Sequence, residues 1–212
     1  MPLESLSMRW WNLDWRAHLP VTFGEVTVGL ATLADAEAFI GEHYPRMFAA
    51  ADGAAWLANP MTEAKRRFYR DADIFVFRER DRAVGLQIGH PTDWSTYYVR
   101  TVALLPDHRG RGLLADLTAH VASVLALVGV ERLEGDIPPT NTANLLAQTR
   151  LGYVATGTLN TERWGLVIRV TKYLRDDADA AFRHHFCAFT WPRVARPGDG
   201  RPSPLASTPT RR

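Results

Sequence analysis

The stretch LLPDHRGRGLL, Leu104 to Leu114, joins a strand-like run to a long apolar-faced helix through two glycines flanked by arginines. Upstream, Tyr97 to Leu105 is rich in β-branched and aromatic residues, and Pro106 removes a backbone donor and ends the ladder. Downstream, Leu113, Leu114, Leu117, Val121, Val124, Leu125 and Val128 recur at three- and four-residue spacing, with Gly129 placed to stop the helix. Gly110 and Gly112 therefore stand at a helix N-terminus. The first amides there lack intrahelical partners and the helix dipole is positive, so main-chain N–H groups can hold a pyrophosphate that no side chain keeps away. The two glycines are expected to supply that clearance.

Many nucleotide sites share a strand, a glycine turn and a helix. A dinucleotide fingerprint needs G-x-G-x-x-G, or alanine in the third place, and Ala115 sits there, with Glu131 and Glu134 about where an acidic residue should follow. Spacing alone leaves that reading open. The segment beyond the helix weighs against it, because NTANLLAQTRLGY, Asn141 to Tyr153, has no place in a dinucleotide site.

Taken together, the two segments resemble the GNAT superfamily of N-acetyltransferases. Its acetyl-CoA loop reads as a hydrophobic strand, V-x-P-x-x-R-G-x-G, and then a helix; Leu104, Pro106, Arg109, Gly110 and Gly112 match that frame. A second element, N-x-x-A/S-x-x-x-Y-x-x-x-G-F, finds Asn141 and Gly152-Tyr153 at the family spacing. The resemblance covers about Val26 to Leu174. It implies a mixed α/β fold with a mostly antiparallel central sheet flanked by helices, and acyl transfer from acetyl-CoA or another acyl-CoA to an amine of a peptide, protein or small molecule, with no metal. Val102, Ala103 and Leu104 would offer backbone groups to the pantetheine arm and thioester. The amides of Arg109, Gly110, Arg111, Gly112, Leu113 and Leu114 would take the pyrophosphate, Leu114 replacing a small glycine of the family. Asn141 would both cap its helix and contact the cofactor arm.

The same resemblance makes Asp136 the expected general base, since it lies five residues before Asn141, where ribosomal-protein alanine acetyltransferases carry a glutamate. Glu134 is the reserve. Strand alternation turns Glu134 and Asp136 to one side and Leu133, Gly135 and Ile137 to the other, and paired carboxylates can raise one another's pKa. His90 and Asp93 are outside candidates. Gln148 occupies the place of the tyrosine that often reprotonates the CoA thiolate, and an amide cannot be that acid. A thiol of pKa about 8.5 leaves readily as its anion, so this loss weakens one role without contradicting the chemistry. Tyr97, Tyr98 and Arg100, with Trp94 before them, are expected to line an aromatic, partly cationic acceptor pocket.

Composition fits one compact domain: 212 residues, 46% hydrophobic and 23% charged, with a net charge of +2 that is too small for a dedicated nucleic-acid surface. The single cysteine, Cys187, excludes an intrachain disulfide. Trp10, Trp11, Asp14 and Trp15 interrupt the N-terminus where a secretory signal needs an apolar core, and the longest apolar run, Val121 to Val130, is too short for a membrane span. Cytoplasmic residence is the expectation.

The chain divides into a tryptophan-bearing extension over 1–20, an acyltransferase-like domain over 21–175, a packing helix over 176–190 and a disordered tail over 191–212. The tryptophans suit core cover or a contact between two copies. Val21 to Ala31 reads as one strand, Thr32 with Asp35 as a capping box, and Asn59-Pro60 as the start of a second helix ending near Arg70. His184, His185 and Cys187 do not read as a metal site, because adjacent histidines diverge on a helix and no second ligand pair exists. A longer-chain acyltransferase, or a slow CoA-binding regulatory module, remains as an alternative.

Overall fold

The computed structural model describes residues 5–48, 61–162 and 164–186. The chain forms two compact units, Met1–Asp176 and Asp177–Arg212. In the first, eight strands form one sheet in the order β1-β2-β3-β4-β5-β6-β8-β7. The strands are β1 Val21–Phe23, β2 Val26–Leu30, β3 Asp73–Glu79, β4 Arg82–Asp93, β5 Thr96–Leu104, β6 Arg132–Ile137, β7 Val154–Thr161 and β8 Gly165–Tyr173. The helices are α1 Leu6–Trp11, α2 Leu33–Phe48, α3 Glu63–Asp71, α4 Leu113–Leu127, α5 Thr142–Arg150 and α6 Asp176–Phe186.

The run expected as a single first strand is a hairpin. Gly24 takes φ +62° at its tip, and Val21, Thr22 and Phe23 fold back onto Val28, Thr27 and Val26. The capping box forms as expected. The Thr32 amide and hydroxyl both donate to Asp35 Oδ2, at 2.8 and 2.7 Å, and the Asp35 amide donates back to Thr32 Oγ1. The third helix starts at Thr62, whose hydroxyl accepts from the Lys65 amide; Asn59 and Pro60 lie outside the described residues.

Every strand pair is antiparallel except β5 with β6, which run parallel for three rungs only: Thr96, Tyr97 and Tyr98 opposite Arg132, Leu133 and Glu134. β6 continues to Ile137 against β8, and β5 continues to Leu104 against β4. The two strands that began as neighbours thus part at Val99. They are still close there, since a Cβ added at Gly135 would lie 3.4 Å from the Val99 carbonyl oxygen. On β5 the register against β4 jumps, Gly89 facing Val99 and Ile88 facing Thr101, so Arg100 is the extra residue of a bulge beside the parting point.

The core runs from the N-terminal segment through the sheet to α4. Trp15 is 2% exposed and meets Phe75 edge-on at 4.9 Å, and Trp11 lies 6.2 Å from Tyr97 and donates from Nε1 to the Trp94 carbonyl. Ser7 of α1 hydrogen-bonds the buried Asp73 carboxylate at the head of β3. Two of the three N-terminal tryptophans therefore cover the core, and Trp10 faces solvent. In α4, Leu113, Leu117, Val121, Val124 and Leu125 are all buried. All of α6 after Asp176 belongs to the second unit, described by itself, and carries an Arg183–Asp179 ion pair at 2.7 Å; Cys187 and the tail lie outside the described residues. No helix among the described residues is long and apolar enough to cross a membrane.

Candidate active site

β5 leads through a short 3-10 turn, Pro106–His108, into the glycine loop and α4. Gly110 has φ +73° and Gly112, the N-cap of α4, has φ +83°, and no side chain caps this helix. The conformation, more than clearance, is what demands glycine: a Cβ at Gly110 would meet nothing within 4 Å, and one at Gly112 only Asp116 Oδ2 at 3.8 Å. Left-handed backbone turns the loop so that the first amides of α4 have no cap competing for them. Both loop arginines are turned elsewhere. Arg109 Nε donates to the Leu104 carbonyl at 3.0 Å, and Arg111 Nη1 to Glu79 Oε1 at 3.0 Å. Arg111, followed by His108, holds the Glu79 carboxyl below its ordinary range.

The parted strands supply the second part of the site. Val102, Ala103 and Leu104 pair with Gln87, Leu86 and Gly85 on one side, and beyond Tyr98 no rung joins β5 to β6 on the other. Behind this open edge is a cavity with room for about one water molecule, lined by Gln87, Val99, Val102, Leu114 and Gln148 among others. Gln148 is buried; its Nε2 donates to Asn144 Oδ1 at 3.4 Å and its Oε1 has no partner. Asn141 caps α5 by accepting from the Asn144 amide at 3.2 Å.

On the opposite side of β5 lies a cluster of charged and aromatic groups. Glu134 and Asp136 do share one face of β6, but both are engaged. Asp136 takes Arg169 Nε on Oδ1 at 2.9 Å, Arg169 Nη2 on Oδ2 at 3.0 Å, and the Tyr98 hydroxyl on Oδ2 at 3.0 Å. Glu134 lies 3.4 Å from Arg169 Nη1 and 3.5 Å from Arg132 Nε. Burial first, and the Asp136 charge second, push the Tyr98 phenol up to about 12. Tyr97, expected beside Tyr98 in the acceptor wall, is instead fully buried on the other face, because neighbouring strand residues point opposite ways. Arg100 is exposed, with its Nε donating to Tyr69 Oη at 2.8 Å. Trp94 is 71% exposed, its carbonyl tied to Trp11.

His90 is a member of the cluster to which spacing alone gave little weight. It faces Tyr98 across the β4–β5 ladder, with ring centroids 5.5 Å apart, and Phe68 of α3 meets it edge-on at 4.7 Å. Its Nδ1 lies 2.9 Å from the Pro91 carbonyl, an acceptor only, so the proton sits on Nδ1 and Nε2 carries the lone pair. That Nε2 is buried without a partner, and burial holds the imidazole below its ordinary pKa, leaving it neutral near pH 7. Among the described residues, no group of three His, Cys, Asp or Glu side chains is placed to hold a metal ion.

A family model described as the acetyltransferase (GNAT) family matches residues 37–153, which include the loop, the parted strands and α5. No curated protein sequence matches the chain. Solved structures with the same fold include an N-acetyltransferase from Staphylococcus aureus Mu50, 17% identical with a TM-score of 0.56, covering 71% of this chain and 99% of that one. A putative acetyltransferase from Salmonella typhimurium, determined with its cofactor acetyl-CoA, is 20% identical with a TM-score of 0.55, covering 71% and 95%. A GNAT family acetyltransferase from Elizabethkingia anophelis with acetyl-CoA bound is 13% identical with a TM-score of 0.52, covering 71% and 99%. With an uncapped glycine loop at the head of α4, a sheet parted beside it and a family match over more than half its length, the chain belongs to the GNAT family of acetyltransferases.

Proposed function

We propose that this protein transfers an acetyl group from acetyl-CoA to the nitrogen of an amine by direct attack within a ternary complex. The observation that carries the reading is the parting of β5 from β6 after three rungs, directly upstream of the uncapped glycine loop. The thioester supplied by acetyl-CoA is the activated acyl donor. The amides from Arg109 to Leu114 hold its pyrophosphate, and the open edge of Val102, Ala103 and Leu104 receives the pantetheine arm, with Asn141 beside it. N–H groups on that edge are fixed donors for the carbonyl oxygen as negative charge builds there.

In the transfer a nitrogen–carbon bond forms, the carbon–sulfur bond breaks, and the nitrogen gives up a proton. Asp136 is poorly suited to take it, because each of its oxygens already accepts from Arg169, and protonation would sacrifice part of that bidentate pair. We assign Asp136 and Glu134 to orienting Arg169, Arg132 and Tyr98, and the proton to His90 Nε2 once a shift of Phe68, which meets the ring edge-on, uncovers that buried nitrogen. The thiolate leaves as the anion. The test is thiol release from acetyl-CoA with an amine panel, followed by pH profiles of His90→Gln and Asp136→Asn. Loss of the acidic limb of kcat/KM in His90→Gln alone supports the assignment. Its loss in Asp136→Asn alone returns the base role to Asp136, and absence of acetyl-CoA binding overturns the whole reading.

A further inference from the structure

Three guanidinium groups stand on the charged side of β5 and β6, and only two of them are neutralised. Arg132 lies 3.5 Å from both Asp93 and Glu134, and Arg169 is paired to Asp136 and Glu134. Arg100 has no carboxylate partner among the described residues. Its position is nonetheless fixed: Nε donates to Tyr69 Oη at 2.8 Å, and the guanidinium carbon lies 5.8 Å from the Phe68 ring centre and 5.7 Å from that of Tyr69. Two aromatic faces and one hydrogen bond hold the planar head still, and the Nη1–Nη2 edge is left as a fork that matches a carboxylate. As the bulge residue next to the last parallel rung, Arg100 stands where the strands open. Phe68, under the Arg100 guanidinium, also meets His90 at 4.7 Å, and His90 lies 5.5 Å from Tyr98, so one run of aromatic contacts links the three groups.

We propose that the acceptor is a small amine bearing a carboxylate, an amino acid, and that Arg100 anchors its carboxylate beside the parting of β5 and β6. The inference rests on the acetyl-transfer reading above and names the substrate class of that site. A polyamine fits poorly, because the acidic groups here are already matched by Arg132 and Arg169 and the unmatched charge is positive. The aromatic surface of Phe68, Tyr69 and Tyr98 suits an apolar side chain.

The experiment uses the full chain with acetyl-CoA and matched acceptors: the proteinogenic amino acids, their amides, the corresponding decarboxylated amines, and spermidine. Acetyl-CoA binding is measured separately by calorimetry. Removing a charge-assisted pair should cost about tenfold or more in kcat/KM, so an apolar amino acid should exceed its amide by about that factor. Arg100→Gln should collapse this ratio through KM, and Arg100→Lys should restore part of it, with unchanged acetyl-CoA affinity reporting that both variants fold. Equal or better transfer to amides, amines or spermidine overturns the proposal, as does a ratio that survives Arg100→Gln. Acetyl-CoA binding with no transfer to any amino acid also overturns it and leaves the cradle standing. Absence of acetyl-CoA binding removes the underlying reading as well.

Discussion

The Tyr97 ring lies across Gly89 of the neighbouring strand so closely that a Cβ on Gly89 would sit 2.4 Å from both Cε1 and the hydroxyl oxygen. Tyr97 is fully buried and covered by Trp11, so the ring has no free direction in which to give way. Gly89→Ala should therefore destabilise the fold by about 1–3 kcal/mol. Urea denaturation measures this, and the double variant Gly89→Ala with Tyr97→Leu should recover part of the loss. A neutral Gly89→Ala would show that the ring does not occupy that space.

Gly112→Ala places a methyl group where there is room but at φ +83°, a conformation costing an L-residue about 1–2 kcal/mol. Relaxation of that strain would also move the head of α4, so acetyl-CoA affinity should fall along with stability. Gly112→Asn should be milder, because asparagine tolerates this region better. Gly41, inside α2 with nothing near its missing Cβ, is the control; Gly41→Ala should stabilise by roughly 0.5–1 kcal/mol and leave affinity unchanged. Equal losses in Gly112→Ala and Gly112→Asn would argue against a backbone cause.

Asp73 makes stability depend on pH in the opposite sense to a salt-bridged carboxylate. Burial raises its pKa from 3.8 to about 6, against the bonds that would lower it, with Ser7 first among them. Below pH 3.8 both folded and unfolded chains carry the proton, so there is no contribution. Between 3.8 and about 6 the unfolded chain ionises first, and the folded state loses ground. The rise from 3.8 to about 6 corresponds to a penalty on the order of 3 kcal/mol, complete above pH 6. Asp73→Asn keeps an acceptor for Ser7 and lacks the charge. Its melting temperature relative to the parent should rise between pH 4 and pH 7, and a flat difference over that window would contradict the assignment.

The Asp136–Arg169 pair should be worth more than its surface counterparts. Two charge-assisted bonds join partly buried groups, the side chains being 17% and 34% exposed, and a double-mutant cycle should return a coupling above about 1 kcal/mol. The Arg67–Glu63 pair, 76% and 63% exposed at 3.5 Å, should give at most about 0.5 kcal/mol. Coupling energies from chemical denaturation decide between these values. Asp136→Asn should also release the Tyr98 phenol toward its ordinary pKa, visible in an ultraviolet titration.

Local grammar was enough to read the loop and the carboxylates from the sequence. Gly110 and Gly112 announce themselves because the backbone there needs positive φ, and Glu134 and Asp136 share a face because strand periodicity is two. The same periodicity separates Tyr97 from Tyr98, yet their adjacency and similar chemistry invite treatment as a pair. The partners of Asp136 were not legible, since Arg169 comes from a strand more than thirty residues away that pairs with β6 only after the chain has returned from β7. His90 was hidden for a related reason. The role proposed for it rests on an unpartnered nitrogen beside Pro91, Tyr98 and Phe68, and nothing in a lone histidine at a strand end reports which of its atoms is satisfied. Arg100 becomes distinctive only once every other guanidinium on its face has found an acid.

The family match begins at residue 37, but the hydrophobic interior begins at Leu13. Trp15 against Phe75, Ser7 on Asp73, Trp11 over Tyr97 and the His18 carbonyl on His120 Nε2 make residues 5–20 part of the same folding unit as the sheet. The segment that sequence comparison recognises is therefore smaller than the segment that can exist by itself in water. Trimming the gene to the recognised boundary would leave Phe75, Tyr97 and Asp73 facing solvent, and the shortened polypeptide would be a substrate for proteases before it could be a catalyst.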